Sequence, residues 1–254
     1  MPVARLRIPL WAEGRVIFEH AALMRSAVWR GEGVPRGDGA PVLLVPGFLA
    51  GDPSLRTMAG WLRRMGHRPC RAGMRANVDC ATRGIERLEA AVEDLAQRFG
   101  RRVAIVGQSR GGSMARVLAV RRPDLVERIV TLGSPVLDQL AVHPLVRAQV
   151  TAVGLLGTAG VPGLFSRSCG AGACCARTRE QALAGFPSAV GFVAVYSRSD
   201  GIVDWRACLD PAAQLAEVRT SHVGMAVSPA VYRVLAAALA APGAQARAVA
   251  ARAA

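Results

Sequence analysis

The apolar residues of this chain fall into two alternating patterns. Short runs of adjacent apolar residues recur at Val42–Val45 (VLLV), Val103–Val106 (VAIV), Arg128–Leu132, Gly191–Tyr196 and Ala216–Thr220, with a weaker one around Arg68–Met74. Runs this short and continuous predict strands buried on both faces. Between them the spacing changes. Ile85, Leu88, Val92, Leu95 and Phe99 recur at helical intervals, on one face of a helix that Thr82 is expected to cap and Gly100 to end. Asp52-Pro53 opens an earlier helix closed by Gly66, Ser113 to Arg121 forms another stopped by Pro123, and a last one begins near Pro229.

Strand and helix in alternation build an α/β domain, a mostly parallel sheet with helices on both faces. The alternation holds from about residue 41 to 240 and is interrupted at about 138–190, a segment rich in glycine and apolar residues with a helix expected near Leu145–Leu156. This insertion either lies over a pocket as a cap or packs on the sheet as an ordinary buried helix, and the pattern leaves both open. Residues 1–40 read as an N-terminal arm and 241–254 as a flexible tail. No internal repeat is present.

The formal charge of +14 invites a nucleic-acid reading, but all 32 basic residues are arginine and they are scattered, in pairs at most. Aromatic residues make up only 5% of the chain and do not interleave with them, so no nucleic-acid partner is expected. Arginines and glutamate interrupt the first twenty residues, which do not read as a signal peptide, and glycines with Pro162 break the apolar stretch Val150–Phe165. The expectation is a cytoplasmic protein with peripheral membrane contact at most. Six cysteines occur, four of them between positions 169 and 208. Buried thiols are the favoured reading, disulfides clamping the 169–175 loop to Cys208 come second, and the spacing is not that of a standard zinc site.

Chemistry enters at GQSRGG, residues 107–112, which follows an apolar strand and precedes a helix. A serine hydroxyl is a poor nucleophile unless it protrudes toward substrate and a base takes its proton. A sharp strand–turn–helix makes Ser109 protrude, and it crowds the positions two residues away on either side, where Gly107 and Gly111 lack side chains. The base and acid of such a nucleophile follow it in the chain as acid, then histidine. Of four histidines only His222 follows both the serine and a late strand. Asp200, in the turn after FVAVY, is the preferred acid, with Asp204, Asp138 and Asp124 as rivals. The oxyanion needs preorganised N–H donors, assigned to the backbone of Arg110 and of Phe48 after VLLVPG.

VLLVPGF, VAIVGQSRGG, VYSRSDGIVDW and SHVGM together resemble the α/β-hydrolase superfamily, and within it small bacterial lipases and esterases. The resemblance implies a serine hydrolase of carboxylic esters, some of them lipid-like, working through Ser109, Asp200 and His222 with no metal or cofactor. Its alternatives are an acyltransferase on the same residues and a non-catalytic binding protein of the same fold. Pro46 and Gln108 depart from the pattern, standing where lipases commonly carry histidines.

Overall fold

The computed structural model describes residues 10–240, apart from the side chains of residues 171 and 174; the expected tail lies outside the described residues. Six strands form one parallel sheet: β1 (Pro41–Val45), β2 (Arg68–Arg71), β3 (Val103–Gln108), β4 (Val126–Leu132), β5 (Gly191–Tyr196) and β6 (Gln214–Glu217), in the order β2-β1-β3-β4-β5-β6. The chain starts at β1, runs outward to β2, then returns past β1 to β3. Strand order therefore reverses between β1 and β3. In open α/β sheets the crevice at the carboxyl ends of such a pair is where ligands bind, because the flanking loops diverge there.

Strand alternation explains the continuous apolar runs. Val42, Leu44, Ala104, Val106, Val130 and Leu132 face one core, and Leu43, Val45, Val103, Ile105 and Ile129 face the other. The first core is covered by α1 (Val16–Arg25), α2 (Ala27–Arg30), α3 (Arg56–Arg64) and α9 (Pro229–Ala240), through residues such as Leu23, Trp61, Leu62 and Tyr232. The second is covered by α4 (Ala81–Phe99) and α5 (Arg110–Arg121). Ile85, Leu88, Val92 and Leu95 all point inward, as their spacing requires. Each fully buried Leu or Ile contributes about 1.5–3 kcal/mol, so these two layers are the main source of stability.

Several element ends move from their sequence positions. Helix α4 starts at Ala81 with Cys80 at its N-cap; Thr82 lies inside the first turn and its hydroxyl bonds Thr178 Oγ1 at 2.8 Å instead of capping. Residues 52–55 form a 3-10 turn before α3, and β2 stops at Arg71. The last strand covers 214–217, although Val218 N still donates to Tyr196 O at 2.9 Å. The N-terminal arm is helical from Leu10 to Arg30 apart from Ser26, which caps α2.

The insertion between β4 and β5 carries α6 (Pro144–Thr158), α7 (Ser168–Ala171) and α8 (Ala176–Leu183). Helix α6 buries Val153 and Gly154, and a Cβ on Gly154 would lie 3.5 Å from the Phe165 ring and 3.6 Å from Arg167 Cγ, so that side of the helix meets its own chain. Arg116 of α5, buried, bonds Asp210 Oδ2 at 2.5 Å and also donates to the carbonyls of Ala182 and Ala184, which pins the end of α8 to the sheet domain. Among the described residues no helix is long and apolar enough to cross a membrane.

Candidate active site

The carboxyl ends of β1, β3, β4 and β5, with the loop after β6, converge on Ser109. This serine has φ 52° and ψ −124°, in a region that disfavours side chains. Leu49, at φ 60°, is the other non-glycine residue with positive φ among those described. The two strained positions flank Gly47 and Phe48, so the backbone strain is concentrated at the mouth of the β1–β3 crevice. Helix α5 begins immediately at Arg110, earlier than the expected Ser113, because the turn is completed within one residue.

Close approach accounts for the glycines. A Cβ on Gly107 would lie 2.5 Å from Gly112 Cα, and one on Gly111 would lie 2.3 Å from Val45 O. A Cβ on Gly47 would lie 3.2 Å from Ser109 Cβ, which puts the β1 loop in contact with the serine. Both candidate oxyanion residues therefore adjoin Ser109: Arg110 follows it at the positive N-terminal end of α5, and Phe48 follows Gly47. Asn77, buried, was not singled out in the sequence, yet it braces this region. Its Nδ2 donates to Pro46 O at 2.8 Å, its Oδ1 accepts from Arg110 Nε at 3.2 Å and its N donates to Ala50 O.

Asp200 and His222, 3% and 5% exposed, are joined by a 2.7 Å hydrogen bond between Oδ2 and Nδ1. Asp200 Oδ1 accepts from the amides of Ile202 and Val203, which fixes the carboxylate while Oδ2 faces the imidazole. The rivals are engaged elsewhere. Asp204 caps the turn at Arg206, Asp138 is exposed and caps Leu140 N, and Asp124 pairs with Arg122. The other histidines have other places: His143 caps α6, His67 is buried against Gly37, and His20 is exposed. Burial pushes the His222 imidazole down, but the charge and hydrogen bond of Asp200, helped by Glu13, pull it up, and the net direction is above the ordinary 6.5.

Ser109 meets this pair through the sheet. Its N donates to Leu132 O at 2.8 Å, and the next residue, Gly133 (φ 55°), lies so close to the pair that a Cβ there would be 3.0 Å from His222 Nδ1 and 3.1 Å from Asp200 Oδ2. Gln108 Nε2 donates to His222 O at 3.1 Å, which gives the glutamine before the serine a role in anchoring the histidine loop. Among the described residues no hydrogen bond joins Ser109 Oγ to His222.

The arm supplies what sequence reasoning missed. Glu13, buried, accepts from Gly201 N at 2.9 Å, His222 N at 3.0 Å and Val223 N at 2.9 Å, bridging the acid and histidine loops. Glu19 accepts from Ser221 N, Ser221 Oγ and Thr220 Oγ1. Gly224 is required beside it, since a Cβ there would lie 1.7 Å from Glu19 Oε2. Two glutamates in an apolar N-terminal segment were the only available signal, and nothing local in the sequence tells where they point.

The insertion reaches the site through Phe165. Its N donates to Val78 O, its ring lies 6.2 Å from that of Phe48, and the Arg110 guanidinium sits 5.4 Å from its centroid. The favoured reading of the cysteines as buried thiols holds for Cys80, Cys175 and Cys208, while the second, a disulfide clamp to Cys208, is corrected. Cys208 is a free thiol buried in the turn after β5, so it does not clamp the 169–175 loop, and Cys70 and Cys169 are only half-buried.

A parallel sheet of this order, with a strained serine after its third strand and a buried aspartate–histidine pair at its carboxyl edge, defines the α/β-hydrolase fold. Solved structures agree. The chain is similar to the mature lipase BlEst2 of Bacillus licheniformis, with a TM-score of 0.56 and 16% identity over 77% of this chain and 89% of that one. It is similar to lipase B of Aspergillus fumigatus, with a TM-score of 0.55 and 16% identity over 81% of this chain, which spans 53% of that lipase. It is also similar to a pyrethroid hydrolase from Sphingobium faniae JZ-2, with a TM-score of 0.51 and 15% identity over 80% of this chain and 96% of that one. No protein-family model matches the sequence, and no curated protein matches it.

Proposed function

We propose that this protein is a serine hydrolase of carboxylic esters. The observation that carries the reading is the buried Asp200–His222 hydrogen bond beside a serine held at positive φ on the nucleophile turn. Ser109 Oγ attacks the acyl carbon as His222 Nε2 takes its proton, a hydrogen bond that forms when substrate orders the site. Asp200 holds Nδ1 protonated and stabilises the imidazolium. The amides of Phe48 and Arg110 receive the oxyanion. His222 then protonates the leaving alcohol, and a water activated by the same histidine clears the acyl-enzyme.

Lipid-like substrates, and contact with a membrane surface, are favoured by the insertion. Leu145, Leu155, Leu156 and Val161 are exposed on it, close in sequence to Arg147 and Arg167. The three solved neighbours are two lipases and a pyrethroid hydrolase, which fits ester cleavage on apolar substrates.

The test combines a fluorophosphonate probe with p-nitrophenyl esters of increasing acyl length. The wild-type chain should be labelled at Ser109 and turn over the esters, and Ser109→Ala should lose both with an unchanged circular dichroism spectrum. An unlabelled wild-type protein would make the fold a binding scaffold. Labelling with acyl transfer to an added alcohol outpacing hydrolysis would make it a transferase.

A further inference from the structure

Three thiols far apart in sequence converge where the insertion meets the sheet domain. Cys80 stands at the N-cap of α4, while in the insertion Cys169 lies in α7 and Cys175 ends the 3-10 turn that follows it. Their Sγ atoms all lie within 4.8 Å of one another, and Cys80 and Cys175 approach to 3.4 Å. Sulfurs bound to one tetrahedral zinc at about 2.3 Å are about 3.8 Å apart, a separation this triangle brackets. Cys80 and Cys175 are buried and Cys169 is half-exposed, so an ion can enter from the Cys169 side.

The surroundings suit bound thiolates. Hydroxyl groups aim at the sulfurs: Thr82 Oγ1 lies 3.5 Å from Cys175 Sγ, and Ser166 Oγ lies 3.7 Å from Cys169 Sγ. Donors of this kind orient metal-bound sulfur and moderate its charge. Arg110 reaches the chain beside the cluster, its guanidinium donating to the carbonyl of Asp79, the residue before Cys80. Its guanidinium donates to two neutral oxygens, Asn77 Oδ1 and Asp79 O, and makes no ion pair among the described residues. Three thiolates on a divalent ion carry one net negative charge, and this cation balances it.

We propose that Cys80, Cys169 and Cys175 form a thiolate site for one thiophilic divalent ion of the zinc class, tying the insertion to the sheet domain. On binding, each thiol gives its proton to solvent and a metal–sulfur bond takes its place, with no change of oxidation state. A fourth donor from solvent or a neighbouring residue completes the tetrahedron. The spacing alone conceals this site, because Cys80 is separated from the others by strands β3 and β4 and only the fold brings it to them. The proposal does not depend on the esterase reading.

The full chain, expressed with zinc and desalted, should retain about one ion per chain by elemental analysis. Cys80→Ser and Cys175→Ser should each lose most of it, while Cys70→Ser, altered on strand β2 outside the cluster, keeps it. Should those variants fail to fold, the wild-type chain still decides. Cobalt(II) should give sulfur-to-metal charge-transfer bands that zinc displaces, and zinc should shield Cys80, Cys169 and Cys175 from alkylation in a peptide map. Absent cobalt bands, alkylation indifferent to zinc, or a disulfide between any two of the three in a non-reducing map would each overturn the site.

Discussion

Glu13→Gln tests how far an N-terminal helix governs a histidine two hundred residues away. The substitution keeps the shape but changes what the side chain offers. In the native chain Oε1 accepts from Gly201 N and His222 N, and Oε2 accepts from Val223 N. Glutamine keeps one oxygen for the first two amides and turns its NH2 toward the third, so a donor meets a donor. Hydrogen bonds to a charged acceptor contribute about 1.5–3 kcal/mol and neutral ones about 1, so two weakened bonds and one lost cost several kcal/mol gross. Relief of burying a carboxylate offsets part of this, which leaves about 2–3 kcal/mol of destabilisation. At about 2–4 °C per kcal/mol for a chain of this size, the melting temperature should fall by about 4–12 °C in calorimetry. The second readout separates electrostatics from structure. Glu13 is among the charges that raise the His222 imidazole, and a general base works only when unprotonated. Removing that charge lowers the imidazole pKa, so the acidic limb of kcat/KM for ester hydrolysis should move to lower pH. A loss of activity uniform with pH, its acidic limb unmoved, would refute the electrostatic part of the reasoning. An unchanged melting temperature would refute the clamp.

Three further outcomes are expected. Asp200→Asn should lower kcat up to about ten-thousandfold, because it favours the wrong histidine tautomer, while Asp204→Asn, which can still cap Arg206 N, should change it little in the same p-nitrophenyl ester assay. The reverse order would move the acid to Asp204. Gly111→Ala forces a Cβ against Val45 O and must displace the β1 loop, so it should cost about 1–3 kcal/mol in urea unfolding and about a hundredfold in kcat through the misplaced Phe48 amide; near-native activity would disconnect that loop from the oxyanion. Leu155→Asp and Leu156→Asp replace side chains that are 49% and 52% exposed, so the melting temperature should stay within a few degrees of wild type. Activity on long acyl esters should nevertheless drop more than on acetate esters. An equal loss on both ester classes would remove the insertion from substrate binding.

The strands, their alternation with helices and the strained serine were legible because each is written locally. Unbroken apolar runs such as VLLV and VAIV can be satisfied only between two helical layers, and GQSRGG combines the small residues that a sharp strand-to-helix turn requires with the strand and helix on either side. His222 followed from elimination among four histidines, and the preference for Asp200 from its place after β5. Element ends were less legible, since Thr82 bonds Thr178 across the domain and Cys80 at the N-cap makes no side-chain capping bond that the sequence could announce. Partners that meet only through the sheet were hidden altogether. Glu13 reaches His222, Gln108 reaches its carbonyl, Asn77 braces the β1 loop, and Cys80 joins Cys169 and Cys175, each across a separation that no periodicity records. By itself the sequence determined what repeats along the chain or is forced by backbone sterics within a few residues: the alternation of strand and helix, and the turn that holds Ser109. The tertiary structure alone decided which distant polar groups share a buried space. Burial removes water as their alternative partner, so each must find whichever group the packing of the layers brings within reach.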